Sequence, residues 1–438
     1  MPTLSSAIDI VTNSPAIFAH HRAELELLVL CCRTQMSSAQ IARALQLLQS
    51  SPGFDWTYLL ELARRHSVLP LLCQQLQTHC GQALPKAIRI ELERLFKTNA
   101  YKNIKFSREL GQLLKVFRAH NIPVLAFKGP TLGEIAYGDY TLRQFTDLDL
   151  LVHETDMLQA KKLLVEQGYK SLFKLNVAQQ LSYLHLGSEQ DFWQQAKQIM
   201  VDLHWSILPK GFSFSPQSAY LWARCQTLEL DNQPVQTLAL EDLLLFLCVH
   251  GAKHNWESLG LICDIAELLR SQPHLDWQYM QRNVGKIGNA TMLRFGLWLA
   301  HTILNAYLPP QVLAYVEADP PTPSLIEAAY RYMFSALVSE NSLSYQATTQ
   351  TKQGRIYQIW QSYKNRLTTW FARDQVYLGC MERWQDRLLF WSDIVIPTPL
   401  ELETFPLPTQ LFFLYYPLRP LRLAAKYLSG KYRDSRLD

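Results

Sequence analysis

The sequence predicts an α+β protein in which a mixed β-sheet core lies between extensive N- and C-terminal helical regions. Three observations carry that expectation. Apolar residues recur at three and four from about Ala19 to His120, short strand-like runs alternate with helices from position 121, and helical spacing returns after about Ser215. At 438 residues the chain is too long for one ordinary core, and 48% hydrophobic with 18% charged residues suits two or three packed units.

From about Ala19 to His120, "AELELLVLCCRT", "SAQIARALQLLQ", "DWTYLLELARRHSVLPLLCQQLQ" and "PKAIRIELERLFKTNAYKNIKFSRELGQLLKVFRAH" read as helices, with Ser38 and Asp55 as N-caps. Asn121 and Pro123 end the last of them. Then "VLAF" reads as strand, "PTLGEIAYG" as helix, "DLDLLV" as strand and "ETDMLQAKKLLVEQGY" as helix; "KSLFKL", "LSYLHLG" and "QIMVDLHWSI" follow as strands. Beyond Ser215, "LEDLLLFLCVHGAKHN", "ESLGLICDIAELLRS", "NATMLRFGLWLAHTIL" and "TPSLIEAAYRYMFSALVS" read as helices. The expected units are a helical region at 1–120, an α/β core at 121–238, a helical domain packed on it at 239–345, and an aromatic-rich, basic helical extension at 346–438. The stretch from Ser342 to Arg355 reads as a polar loop.

A net charge of +4 and the lack of a Lys/Arg block argue against wholesale nucleic-acid binding, although a local basic cleft is invisible to a total. The C-terminal run with Arg419, Arg422, Lys426, Lys431, Arg433 and Arg436 offers a contact to an acidic partner or a membrane surface, though most such runs are solvated faces. Eight cysteines without CxxC spacing read as reduced core residues. No leader pattern and no span of about 18 apolar residues appear, so a soluble, cytoplasmic protein without a membrane span is expected.

The chemistry begins at "TDLDLLV". In a strand, Asp147 and Asp149 project from one face about 7 Å apart, while Leu148, Leu150 and Val152 project from the other. Two carboxylates so placed repel each other, and their ionised forms call for a cation such as Mg²⁺. Upstream, Lys128 and Gly129 stand before a helix opened by Pro130, where backbone N–H groups and a lysine cradle phosphate. Downstream, "VDLHWSI" brings a third carboxylate, Asp202, and three such groups on neighbouring strands suit a two-metal nucleotidyl-transfer site.

Arg143 either neutralises a phosphate or pairs with an aspartate, and His204, two residues after Asp202, either tunes the site or is an interior histidine. His250 and His254 have the i, i+4 spacing of a helical metal pair, but Gly251 stands where a zinc protease needs its glutamate.

The order "FKGPTLGEIAYGDYTLRQFTDLDLLV", then a helix and "GY", then "VDLHW", resembles a bacterial family of uncharacterised nucleotidyltransferases within the polymerase-β-like superfamily. Lys128, Gly129, Tyr137, Arg143, Asp147, Asp149, Asp202, His204 and Trp205 fill its pattern, and the similarity extends over most of the chain. The resemblance implies a nucleotidyltransferase-like sheet core. It further implies an Mg²⁺- or Mn²⁺-dependent enzyme moving a nucleoside monophosphate from an NTP to a hydroxyl acceptor, with pyrophosphate released. Asp147, Asp149 and Asp202 would be catalytic and hold the metal; Lys128, Gly129, Thr131, Arg143, His204 and His254 would bind the nucleotide and its phosphates. The acceptor is open among small molecule, peptide, sugar, protein and tRNA, and base preference and oligomeric state are not encoded legibly.

Pro130 departs from the superfamily, which places Gly or Ser after this glycine; Thr131 or Lys128 would substitute for the missing hydroxyl. Two rival readings follow. One is a D-x-D glycosyltransferase; the other is a catalytically weakened nucleotidyltransferase fold serving as a binding or scaffold protein in a biosynthetic or defence cluster.

Overall fold

A computed structural model describes residues 21–51, 53–207, 218–335, 375–392 and 395–428. The polar stretch Ser342–Arg355, most of the aromatic-rich run before it reaches Gln375, and Lys431, Arg433 and Arg436 lie outside the described residues.

The chain begins with helices α1 (Arg22–Cys31), α2 (Ser38–Ser50), α3 (Trp56–Arg65), α4 (Leu69–Cys80) and α5 (Lys86–Ala119). The cap of α2 is Ser37, one residue before the expected Ser38, because a capping box forms there. Ser37 accepts the Gln40 N–H at 3.4 Å, and Gln40 Oε1 accepts the Ser37 N–H at 2.9 Å. Asp55 caps α3 as expected, accepting the Tyr58 N–H at 2.9 Å, while its own N–H donates to Glu24 Oε1 at 2.7 Å and ties α3 to α1. The 34-residue α5 stops just before Asn121, which takes φ +55°.

The sheet follows as β1 (Leu125–Ala126), α6 (Gly129–Tyr137), β2 (Asp147–Leu151), α7 (Met157–Glu166), β3 (Lys170–Ser171), α8 (Val177–Leu186), β4 (Glu189–Gln194) and β5 (Ile199–His204). Its order is β1-β2-β5-β4-β3, with β2 parallel to β5 and the other neighbours antiparallel, so the sheet is mixed as expected.

Three local expectations are corrected. "LSYLHLG" belongs to helix α8, not a strand, because Asn176 and Gln179 form a capping box that starts a helix through the alternating residues. The strand expected over "KSLFKL" shortens to Lys170–Ser171, and β4 was not anticipated. Helical structure does not simply resume after Ser215. α9 (Ser218–Arg224) precedes a hairpin of β6 (Gln226–Leu230) and β7 (Gln233–Thr237), whose turn has φ +49° at Asp231 and +59° at Asn232, the geometry of a type I′ turn.

Helices α10 (Leu240–Lys253), α11 (Leu259–Ser271), α12 (Trp277–Ile287), α13 (Ala290–Leu304), α14 (Pro310–Ala318) and α15 (Pro323–Ser335) come next. The described residues close with α16 (Gln375–Gly379), α17 (Trp384–Ser392), α18 (Pro399–Thr404) and α19 (Tyr415–Leu428). No helix among the described residues is long and apolar enough to cross a membrane.

Two cores result. Leu148, Leu150, Val201, Leu203 and Phe192 share one with Phe106, Leu110 and Phe117 of α5, and with Leu402 and Tyr415 near the C-terminus. The other joins α1–α4 to α10–α15 through residues such as Leu28, Leu72, Leu244, Ile262, Leu297 and Met333. In α19, Arg419 and Arg422 both pair with the buried Glu401, so these two cations of the basic run serve packing.

His66 pins α3 to the start of α11. Its carbonyl accepts Ser258 Oγ–H at 2.7 Å and the Gly260 N–H at 2.9 Å, and its Nδ1 accepts the Leu259 N–H at 3.2 Å. Burial, with Arg65 beside it, lowers the imidazole pKa to about 3. A folded pKa below the unfolded value means stability present above pH 6.5 and lost as pH falls toward 3. We expect urea unfolding to lose about 3 kcal/mol between pH 7 and pH 4 through this group. His66→Asn, whose Oδ1 still accepts, should lack that increment; identical pH dependence in both proteins would refute the assignment.

Candidate active site

The register of three strands assembles the site. Asp149 faces Asp202 across β2–β5, and Asp202 faces Asp191 across β5–β4; one step along, Leu151, His204 and Glu189 form the next row. Facing residues of a sheet project to the same side. Asp147, Asp149, Asp202, His204, Asp191 and Glu189 therefore share one face, while Leu148, Leu150, Val201, Leu203 and Phe192 fill the core behind it.

Asp149 is 3% exposed. Its Oδ1 lies 2.6 Å from Lys128 Nζ and 3.3 Å from His204 Nε2, whereas its buried Oδ2 has no hydrogen-bond partner among the described residues. Burial pushes this carboxyl up, but Lys128 and His204 outweigh it and hold the group below the usual carboxylate range. Burial likewise opposes the Lys128 charge, and Asp149 and Asp147 more than compensate, so the ammonium stays protonated. Asp202 has the opposite fate: burial, then Asp191, Asp147, Asp149 and Glu189, push its carboxyl well above the ordinary value.

One donor atom from each of Asp149, Asp202 and His204 lies within 4.8 Å of the others. Asp147, half-buried, stands outside that group. The residues fit a divalent cation: an unpartnered carboxylate oxygen, a carboxyl whose ionisation is opposed by burial and by neighbouring acids, and an imidazole make a donor set whose ionised form an ion would stabilise. His204 Nδ1 lies 3.2 Å from Glu189 Oε2, so a further carboxylate stands behind the imidazole.

Gly129 opens α6 at φ +54°, and a Cβ there would sit 3.2 Å from the Asp147 carbonyl oxygen. Glycine thus serves both an unusual backbone angle and the close approach of α6 to β2. Pro130, second in the helix, removes one N–H from that terminus. Thr131 is fully buried, and its Oγ1 has no hydrogen-bond partner among the described residues.

The stretch leading to β2 is held from α5. Asn99 Nδ2 donates to the Thr141 carbonyl at 2.8 Å, Asn103 Nδ2 to those of Tyr140 and Arg143 at 2.7 Å each, and Lys102 to that of Phe145. Arg143 turns away from the two aspartates of β2. Its Nε and Nη2 each donate to Asp264 of α11 at 2.9 Å, and Tyr137 OH donates to the same carboxylate at 2.8 Å. Of the two roles open in sequence, pairing with an aspartate is the one seen, while Arg143 Nη1 has no hydrogen-bond partner among the described residues.

Arg143 lines a cavity of ≈ 180 Å³ with Gln144, His250, His254 and Glu257. Burial, then His254, Lys128, Lys253 and Arg143, push the His250 imidazole well down. Burial also lowers His254, although Glu257 works against it. Aromatic contacts join this cavity to the acidic face: Phe127 meets His204 and Phe246 edge-on at 5.3 Å each, and Phe246 stacks on His250 at 5.4 Å. Sequence reasoning missed Glu189, Asp191 and Lys253. The alternation of Glu189 and Asp191 with buried Gln190 and Phe192 was the available signal for β4.

No curated protein and no solved structure matches the chain. The sequence model of one family, described as uncharacterised nucleotidyltransferase, matches residues 52–305, which is more than half of the chain and includes the whole five-stranded sheet; the chain belongs to that family.

Proposed function

We propose that the protein moves a nucleoside monophosphate from an NTP to a hydroxyl acceptor, with Asp149, Asp202 and His204 holding Mg²⁺ or Mn²⁺ and Asp147 as a further carboxylate. The observation that carries this reading is the pair Asp149 and Asp202, face to face, one with an unpartnered buried oxygen and held low by Lys128 and His204, the other pushed up by burial and its acidic neighbours. A bound divalent ion would supply charge neutralisation and polarise the phosphoryl oxygens.

The chain's own groups do the rest. Lys128 Nζ, now on Asp149, is placed to exchange that partner for a phosphate oxygen, beside the N–H groups of Gly129 and Thr131 at the start of α6. Arg143 Nη1, His254, His250 and Lys253 crowd positive or protonatable groups on the helical side, and a triphosphate would turn that repulsion into attraction. The acceptor oxygen bonds to the α-phosphorus as the bond to the β,γ-diphosphate breaks; the positive charge of a bound ion would favour the ionised form of Asp202, which then accepts the hydroxyl proton. Catalysis is then positioning and charge neutralisation.

The test is incubation with NTPs labelled at the α- or γ-phosphate, a cell extract and Mg²⁺ or Mn²⁺. Label entering a product from the α-position alone, and lost in EDTA, is expected. Transfer from the γ-position, or turnover of nucleotide sugars instead of NTPs, would reject the reading. A protein that binds neither Mn²⁺ nor NTP would favour the scaffold alternative.

A further inference from the structure

On α5, Tyr101, Lys105, Arg108, Gln112 and Lys115 recur at three and four, so they share one face over roughly 20 Å of helix. Tyr101 is 74% exposed; Arg108, Gln112 and Lys115 are exposed and Lys105 is half-buried. Between Tyr101 and Arg118 the cations Lys102, Lys105, Arg108, Lys115 and Arg118 stand against Glu109 alone, an excess equal to the +4 of the whole chain. Glu109 is buried and turned inward to Tyr169 and Lys197, so it does not offset the outer face. Earlier in the helix Arg94 and Lys97 are paired with Glu91 and Glu93, whereas Lys105, Arg108 and Lys115 meet no acidic partner among the described residues.

The β6–β7 hairpin turns this face into a groove. It comes so close that a Cβ on Gly111 would lie 3.0 Å from the Gln233 amide. A cavity of ≈ 210 Å³ opens there between Arg108, Gln112 and Lys115 of the helix and Asp231 and Gln233 of the hairpin. Asp231, the one acid in it, is engaged by Ser107 Oγ–H at 2.6 Å and Tyr140 OH at 3.1 Å. Tyr140 begins the stretch that runs into Asp147, so the groove floor is one hydrogen bond from the chain that carries the acidic site.

We propose that this groove binds a single-stranded nucleic acid, whose end is presented as the acceptor. The acceptor role rests on the nucleotidyltransferase reading; the binding does not. Cations at intervals of one to two helical turns match a polymer with a charge at every unit, and an exposed tyrosine on the same face offers a base a stacking surface. An acidic peptide would use the charges but would leave Tyr101 and the two glutamine amides without a matching role.

The experiment is fluorescence anisotropy of the full chain with short labelled RNA and DNA strands of one sequence, in EDTA without NTP, across a salt series. Binding to either strand that weakens linearly in log salt is expected. Arg108→Gln with Lys115→Gln should flatten that slope by about 1.4, at ~0.7 per phosphate contact on single strands. Tyr101→Ala should weaken binding at least about fivefold, the low end of base–aromatic stacking. NTP affinity of these variants, measured with Mn²⁺ and without nucleic acid, should equal the parent's, which keeps failure of the groove distinct from failure of the active site, whereas transfer to an added strand should fall with strand binding. Absence of binding, an unchanged slope in the double variant, or polyglutamate competing as well as RNA would overturn the proposal.

Discussion

Asp149→Asn and Asp202→Asn should each reduce metal-dependent NTP turnover by at least about a hundredfold, yet move the stability of the metal-free protein in opposite directions. Asp149 is the ion-pair partner of Lys128, whose side chain is only 17% exposed. Replacing that carboxylate with an amide strands a buried ammonium, a loss of about 3 to 5 kcal/mol. Asp202 is destabilised by burial and by Asp191, Asp147, Asp149 and Glu189, so an amide of the same shape removes a repulsion. Its folded pKa lies above the unfolded value, so in the parent the native state is penalised as pH rises through the carboxylate range, and the variant is free of that penalty. Asp202→Asn should therefore be more stable than the parent at neutral pH. Chemical unfolding in EDTA at pH 7 reads both effects. Equal losses in the two variants would contradict the opposite shifts of the two carboxyls, and unchanged turnover in both would contradict their place in the site.

Asp264→Ala is expected to cost about 3 to 5 kcal/mol, because it leaves the Arg143 guanidinium buried without its bidentate partner. The Arg143 side chain is 13% exposed, and Tyr137 OH loses its acceptor at the same time. The pair also anchors the stretch that leads into Asp147 to helix α11. The double variant Arg143→Met with Asp264→Leu fills similar volume without charge and should recover most of that stability. If Arg143 also serves a phosphate, NTP KM stays raised in the double variant while unfolding returns toward the parent's value. Parental KM there would reduce Arg143 to a packing role.

The acidic strand was legible because its chemistry is local. The alternation of Asp147 and Asp149 with Leu148 and Leu150 specifies a two-faced strand, and Gly129 and Pro130 mark a helix start, whatever surrounds them. Asp202 could be added because Val201 and Leu203 flank it with the same alternation. "LSYLHLG" misled for the same reason: a short alternating run fits either period, and the capping box at Asn176 decides it. The hairpin at Asp231 and Asn232 was hidden by the lack of the glycine that usually marks such a turn.

What α+β architecture this chain takes, and which strands carry its carboxylates, follow from periodicity and turn chemistry between near neighbours in sequence. Which carboxylates meet could be decided only by strand order, since β4 places Asp191 beside Asp202 while parallel pairing places Asp149 on its other side. The choice of Asp264 as the partner of Arg143, 121 residues away, likewise awaits the packing of α11 against α6. The physical reason is range: backbone preferences act over a few residues, whereas charge and desolvation depend on whatever the fold brings within a few ångströms.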